Sequence, residues 1–367
     1  MTTPLNALSE HGQSPWIDYL SRSFVREGDL AGLIGDGIVG ITSNPTIFQG
    51  AIADGNAYDE QLREVLVSER DPKEVFLALA RQDIRGACDL LAPVFERGDG
   101  TRDGWVSLEV DPNLAHDADG TAREAARLHE MVARPNLFVK IPGTEAGLTA
   151  IEETIARGIP VNVTLLFSLD RHRAAAQAYL RGLRRLRASG GDLASVASVA
   201  SFFVSRVDTE VDRRLDEIGG QAELKGKLAI ANAKLAYQSY KEIFDGDDWR
   251  ELEAAGGSPQ RCLWASTSTK NPAYRDVLYV EALVGPQTVN TMPRETIEAV
   301  QDHGQIESTL ELDLADAHQT FERLAQAGVD YNVVVEVLER EGVQKFADSF
   351  KELIDGVSAK REQFVAA

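Results

Sequence analysis

Apolar positions along this chain alternate between two spacings. Short runs with a period near two residues fall at 38–42, 105–110, 137–141, 159–165, 196–203, 262–266 and 287–290, the pattern of strands that bury one or both faces. Longer runs with a period near 3.6 residues separate them, at 73–96, 121–133, 145–157, 169–188, 205–218, 222–244 and 294–300, the pattern of amphipathic helices. Thr121 and Glu124 have the spacing of a capping box for the second of these helices. Strands alternating with helices predict a parallel sheet covered by helices. An opening strand near 16–19 makes eight, the number that closes a (β/α)8 TIM barrel of the α/β class.

Such a barrel typically takes about 250 residues. The chain has 367 residues, so roughly 100 are left for additional helices and loops. From Leu312 to Phe364 the apolar positions keep helical spacing and no strand signal occurs. Residues 1–311 are therefore expected to form the barrel, and 312–367 a C-terminal helical extension packed on it rather than an independent domain. Glycine-rich stretches at 98–104, 190–191 and 256–257 are short enough to be loops within one domain.

Charge narrows the partners. Lys and Arg number 38 against 58 Asp and Glu, a net charge of −20, which argues against nucleic acid and against an anionic membrane surface. A hydrophobic share of 43% with 26% charged residues has ample material for a core. There is neither a basic leader followed by an apolar run nor any stretch of 18 apolar residues. Cys88 and Cys262 lie far apart in apolar surroundings, as reduced core thiols do. The expected setting is the cytoplasm, with monomer and homodimer both open.

Several motifs carry less than they first suggest. Gly35, Gly37 and Gly40 match G-x-G-x-x-G, but the run precedes a strand instead of following one, so it reads as a turn feeding that strand. Pro45 argues against a helix over the residues just before it. Six arginines between 171 and 187 fall in a helical pattern and read as its solvated face. Asp117, Asp119 and Gly120 hold fragments of a calcium loop, but a helix-start turn explains them more simply. The six histidines show no metal-binding spacing, and no metal or organic cofactor is expected.

The informative residues are polar ones inside strands. Alternate side chains of a barrel strand point inward, and active sites collect at the carboxyl ends. The parity that puts Leu137, Val139 and Ile141 against the helices puts Lys140 inside; the same parity sends Glu109, Asn162 and Thr164 inward. A lysine is seldom fully buried unless paired. Removing water from an amine favours its neutral form, and a neutral amine can attack a ketone to give a protonated Schiff base, an electron sink that lets the neighbouring carbon–carbon bond break. Glu109, through a water held by Thr164, is placed to shuttle the protons.

Three segments resemble the transaldolase family: Gly40-Ile-Thr-Ser-Asn44-Pro-Thr-Ile, Leu137-Phe-Val-Lys140-Ile-Pro, and Ile159-Pro-Val-Asn162-Val-Thr164-Leu-Leu-Phe-Ser168. The length and Cys262-Leu-Trp-Ala-Ser266-Thr look like its longer bacterial branch. The resemblance implies transfer of a dihydroxyacetone unit between sugar phosphates, with Lys140 as the Schiff-base residue and Glu109 as acid and base. It further implies that Asn44 and Asn162 position the bound hydroxyls and that Asp18 removes the C4 hydroxyl proton. Ser201, Phe203 and Arg206 resemble the segment supplying a hydroxyl, an aromatic and a phosphate-binding arginine. Shorter members place an aromatic and an arginine after Ala-Ser, whereas this chain continues Ser266-Thr-Ser-Thr-Lys270, making Lys270 a point-charge substitute. The competing readings are a fructose-6-phosphate aldolase of the same superfamily and a non-catalytic sugar-phosphate-binding barrel.

Overall fold

The computed structural model describes residues 3–53, 56–98 and 100–366, with side chains through Gln363; Asp99 of the loop at 98–104 and the Phe364 side chain fall outside them. Eight strands form one closed barrel: β1 (Gln13–Asp18), β2 (Gly40–Thr42), β3 (Trp105–Glu109), β4 (Leu137–Pro142), β5 (Val161–Leu166), β6 (Ser198–Phe203), β7 (Arg261–Ala265) and β8 (Thr288–Met292). They are parallel and pair in sequence order, with β8 returning to β1.

Most expected boundaries fall within a few residues of the observed ones, and the departures have local causes. β1 begins at Gln13, because its polar start lines the amino end of the barrel, where Gln13 Nε2 donates to the Leu283 carbonyl at 2.7 Å. The capping box does not form: the helix starts earlier, at Ala118, capped by Asp117, whose carboxylate accepts from Gly120 N at 2.9 Å, while Thr121 donates to the Leu114 carbonyl. The helix expected over 222–244 is broken into a 3-10 turn, Ala222–Leu224, and a helix, Leu228–Phe244, with Gly226 at φ 69° between them. Pro45 opens the helix Pro45–Ala53, since its fixed φ and missing N–H suit a first helical position. The arginine run does lie on the solvated face of Leu169–Ala188, where Arg181 and Arg185 pair with Glu152 at 2.6 and 3.1 Å.

The barrel interior is layered. At its amino end Arg261 donates to Ser14 Oγ and the Thr288 carbonyl, both at 2.6 Å. In the middle Trp105 stacks on Phe138 at 4.0 Å, with Trp16 tilted against Phe138 at 6.2 Å. Gly40 makes this layer possible, because a Cβ there would collide with the Trp16 indole. Above these rings, at the carboxyl end, the inward positions turn polar.

A 36-residue helix, Tyr331–Ala366, lies across that end. It packs on Pro45–Ala53, on the turn Pro112–Leu114, on Ser205–Ile218 and on β5. Its buried stripe of Val334, Leu338, Phe346, Phe350, Leu353 and Val357 keeps the spacing of a helix face. Gly342 lets the helix approach closely: a Cβ would stand 3.1 Å from Leu165 Cδ2. Leu165 itself has φ 59° at an irregularity in the β5–β6 pairing. The start of the helix is fixed by the Tyr331 hydroxyl, which accepts from Leu169 N at 3.0 Å and donates to Asn232 Oδ1 at 2.8 Å.

Candidate active site

Parallel pairing sets the first part of the site. Glu109 is in register with Lys140 across β3 and β4, and Lys140 with Asn162 across β4 and β5. Three inward side chains therefore stand in a row near the carboxyl ends of three adjacent strands. Lys140 Nζ is 3.4 Å from Glu109 Oε2 and donates to the Ser43 carbonyl at 3.2 Å; only 5% and 2% of the Lys140 and Glu109 side chains are exposed. Apart from the Lys140 ion pair, the Glu109 carboxyl and the Thr164 hydroxyl have no hydrogen-bond partner among the described residues, so two buried polar groups of the site are left to interact with whatever enters it.

Asn162 is held at both ends of its amide. Its Nδ2 donates to Ser107 Oγ at 3.0 Å, and its Oδ1 accepts from Ser201 Oγ at 2.7 Å. Asn44 caps the helix Pro45–Ala53 by accepting from Ile47 N at 3.1 Å, which leaves its NH2 group uncommitted to the cap while the residue lines the cavity. Asp18, the last residue of β1, accepts from Thr42 Oγ1 at 2.7 Å, and that hydroxyl also contacts Thr291 Oγ1 at 2.7 Å.

These groups surround a cavity of about 320 Å³ lined by Asp18, Asn44, Lys140, Thr164, Ser201 and Phe203, with Arg206, Ser266 and Lys270 toward its mouth. Its volume is in the range of small-molecule sites. Glu109 borders Lys140 from behind without lining the opening. Arg206 lies over the Phe203 ring at 5.0 Å, a cation–π arrangement. Ser266, at φ 57°, exchanges a 2.9 Å hydroxyl contact with Ser205, and Lys270 donates to Ser268 Oγ at 2.7 Å. Every site residue expected from the sequence is thus at or beside one cavity.

Electrostatics separate the two carboxyls from ordinary ones. Burial pushes Glu109 up to about 7 against the pull of Lys140. Burial also raises Asp18, opposed by Lys140, the Thr42 hydrogen bond and Arg206. Burial lowers Arg206, and Asp18 works against that shift. Perturbed groups gathered in a cleft mark a functional site.

Sequence reasoning missed several members. Ser107 sits two residues before Glu109 on the same inward face, so strand parity was enough to find it. Thr42 and Ser43 were quoted only as part of a motif. Glu295, Lys345 and Phe346 gave no signal, since helical spacing says nothing about which distant site a face covers. Phe346 sits 5.6 Å from Lys140 Nζ.

An inward lysine beside a buried carboxyl, at the carboxyl end of a closed (β/α)8 barrel, has the makings of an enzyme that binds a carbonyl substrate covalently. The family described as Transaldolase/Fructose-6-phosphate aldolase matches residues 15–357. The transaldolase of Mycolicibacterium smegmatis is 50% identical over 360 residues, covering 97% of each chain. That of Acidothermus cellulolyticus is 52% identical, covering 99% of this chain and 98% of the relative, and that of a Parafrankia species is 52% identical over the whole of both. The chain belongs to the transaldolase/fructose-6-phosphate aldolase family.

Proposed function

We propose that this protein transfers a dihydroxyacetone unit from sedoheptulose 7-phosphate to glyceraldehyde 3-phosphate, giving erythrose 4-phosphate and fructose 6-phosphate, the transaldolase step of the non-oxidative pentose phosphate pathway. The observation that carries this reading is the buried Lys140 amine, 3.4 Å from the carboxyl of Glu109. Full-length likeness to curated transaldolases supports it. The proposed setting is the cytoplasm, where reduced Cys88 and Cys262 and diffusible sugar phosphates coexist.

In this mechanism the free amine of Lys140 attacks C2 of the ketose, and the carbonyl oxygen takes a proton to form a carbinolamine. Glu109 delivers a proton to that hydroxyl, water leaves, and a protonated imine remains. Asp18 takes the C4 hydroxyl proton; the C3–C4 bond breaks, the aldehyde departs, and the electron pair moves into the imine as an enamine. The enamine carbon then attacks the carbonyl of the acceptor aldehyde, Asp18 returns its proton to the new alkoxide, and water hydrolyses the resulting imine. Glu109 takes a proton from that water, which Thr164 holds. Asn44, Asn162 and Ser201 position the hydroxyls of the bound unit, Phe203 forms a wall, and Arg206, Ser266 and Lys270 hold the phosphate.

Borohydride reduction in the presence of fructose 6-phosphate, followed by peptide mass mapping, tests the covalent step. A reduced adduct is expected on the peptide carrying Lys140 and on no peptide of Lys140→Arg. An adduct elsewhere, or none, removes the mechanism. The family's other activity is separated by products: release of free dihydroxyacetone from fructose 6-phosphate as fast as transfer to an aldose assigns the chain to the aldolase side.

A further inference from the structure

A chain of net charge −20 repels a phosphorylated sugar at long range, so the anion must be held by cations at short range. Three cations meet at the mouth of the cavity from three separate segments. Arg206 comes from the first turn of Ser205–Ile218, Lys270 from the loop after β7, and Lys345 from the C-terminal helix Tyr331–Ala366. Acidic side chains outnumber basic ones, and many surface arginines have carboxylate partners. None of these three forms an ion pair among the described residues, although Asp18 acts on Arg206 from farther away. Among the described residues, Arg206 contacts the Phe203 ring, Lys270 bonds Ser268 alone, and Lys345 makes no hydrogen bond or ion pair. The exposed Glu295 also lines the cavity, where it raises Asp18.

The cations feel one another. The Lys345 ammonium is pushed below its ordinary value first by Arg206, then by burial, then by Lys270. Three like charges gathered without an ion-pair partner are unfavourable until an anion sits among them, and Asp18, whose carboxyl is itself pushed toward the neutral form by burial, offsets only Arg206. We propose that Lys345 is a substrate-binding residue that joins Arg206 and Lys270, with the Ser266 and Ser268 hydroxyls, in one clamp for the phosphate of the sugar phosphate. The C-terminal helix is then part of substrate recognition and not only a cover. A lysine is suited to the position because its charge sits on a flexible stem and needs no fixed fork geometry. The inference rests on the reading of the cavity as a sugar-phosphate site.

The test compares Lys345→Met and Lys345→Arg with the parent enzyme. In Lys345→Met the KM for fructose 6-phosphate is expected to rise about tenfold, the size of one lost charge-assisted hydrogen bond, and by a larger factor than kcat falls. The dissociation constant of inorganic phosphate, read by calorimetry, should rise in step, and Lys345→Arg should recover most of both. Dihydroxyacetone carries no phosphate, so its trapping on Lys140 by borohydride should change less than twofold. A phosphate affinity and KM within twofold of the parent in Lys345→Met overturn the proposal, as does a parallel fall in dihydroxyacetone trapping, which would mean a general disturbance of the helix. The calorimetric arm needs no chemistry at Lys140, so failure of the Schiff-base mechanism and failure of the clamp give different results.

Discussion

Glu109 Oε2 stands 3.4 Å from Lys140 Nζ because the two residues are directly in register on adjacent parallel strands. Two opposite charges so close would ordinarily leave the carboxyl well ionised, but here burial outweighs the lysine and carries Glu109 up to about 7. A group poised there can give and take protons at neutral pH.

In the proposed mechanism, dehydration of the carbinolamine requires the acid form of Glu109, and that form is lost as pH rises through about 7. The rate of adduct trapping should therefore show a limb centred near that pH, falling on its alkaline side. In Glu109→Gln the limb should disappear and turnover should drop about 10²- to 10³-fold, with an adduct at Lys140 still detectable. Survival of the same limb in the glutamine variant would assign it to another group.

Phe346 sits over Lys140, its ring centre 5.6 Å from Nζ, and is 3% exposed. If Lys140 carries the proposed imine and enamine, excluding water from that amine protects them until the acceptor arrives. Phe346→Ala is expected to raise the release of free dihydroxyacetone relative to transfer by about fivefold, a modest share of the barrier at 1.36 kcal/mol per tenfold. Measuring both products in one reaction gives the ratio directly, and an unchanged ratio means that the ring does not guard the intermediate.

His172 is buried between Cys262, whose Sγ lies 3.6 Å from Nε2, and the Phe202 ring at 5.6 Å. Burial, with Arg173 adding to it, holds His172 down to about 4. The folded chain therefore keeps this ring neutral while the unfolded chain protonates it below its ordinary value near 6.5. Stability from this group is complete above that value and is lost as pH falls from about 6.5 toward 4. Urea unfolding at pH 7.5 and pH 5 should show the parent losing about 2 kcal/mol more between the two conditions than His172→Gln does. An equal loss in both proteins would deny the histidine this role.

The rows of the site differ in how much of them could be read beforehand. Lys140, Glu109, Asn162 and Thr164 could be placed inward from strand parity alone, because side chains of a strand alternate strictly between two faces and their neighbours fix which face is buried. Asp18 lies in a strand whose first residues are polar, and Arg206 in the first turn of the helix Ser205–Ile218 that follows one, so both depended on likeness to known sequences. The error at Thr121 has a simple origin: Asp117, four residues upstream, competes for the same cap and wins by accepting from Gly120 N.

Local pattern, then, determined the eight strands, most of the intervening helices and the inward polar residues, since each follows from the period of apolar positions within a few residues of itself. The sequence by itself did not place Glu109 beside Lys140, which depends on the register between two strands nearly thirty residues apart, or the 7-like poise of that carboxyl, which depends on how completely neighbouring elements exclude water. It did not bring Lys345 and Phe346 to the cavity either. Their helix has one apolar face that would suit many surfaces, and only the docking fixed by Tyr331, Gly342 and Phe350 selects the carboxyl end of the barrel. Short-range periodicity is a property of the chain, whereas register, burial and docking are properties of contacts between segments far apart along it.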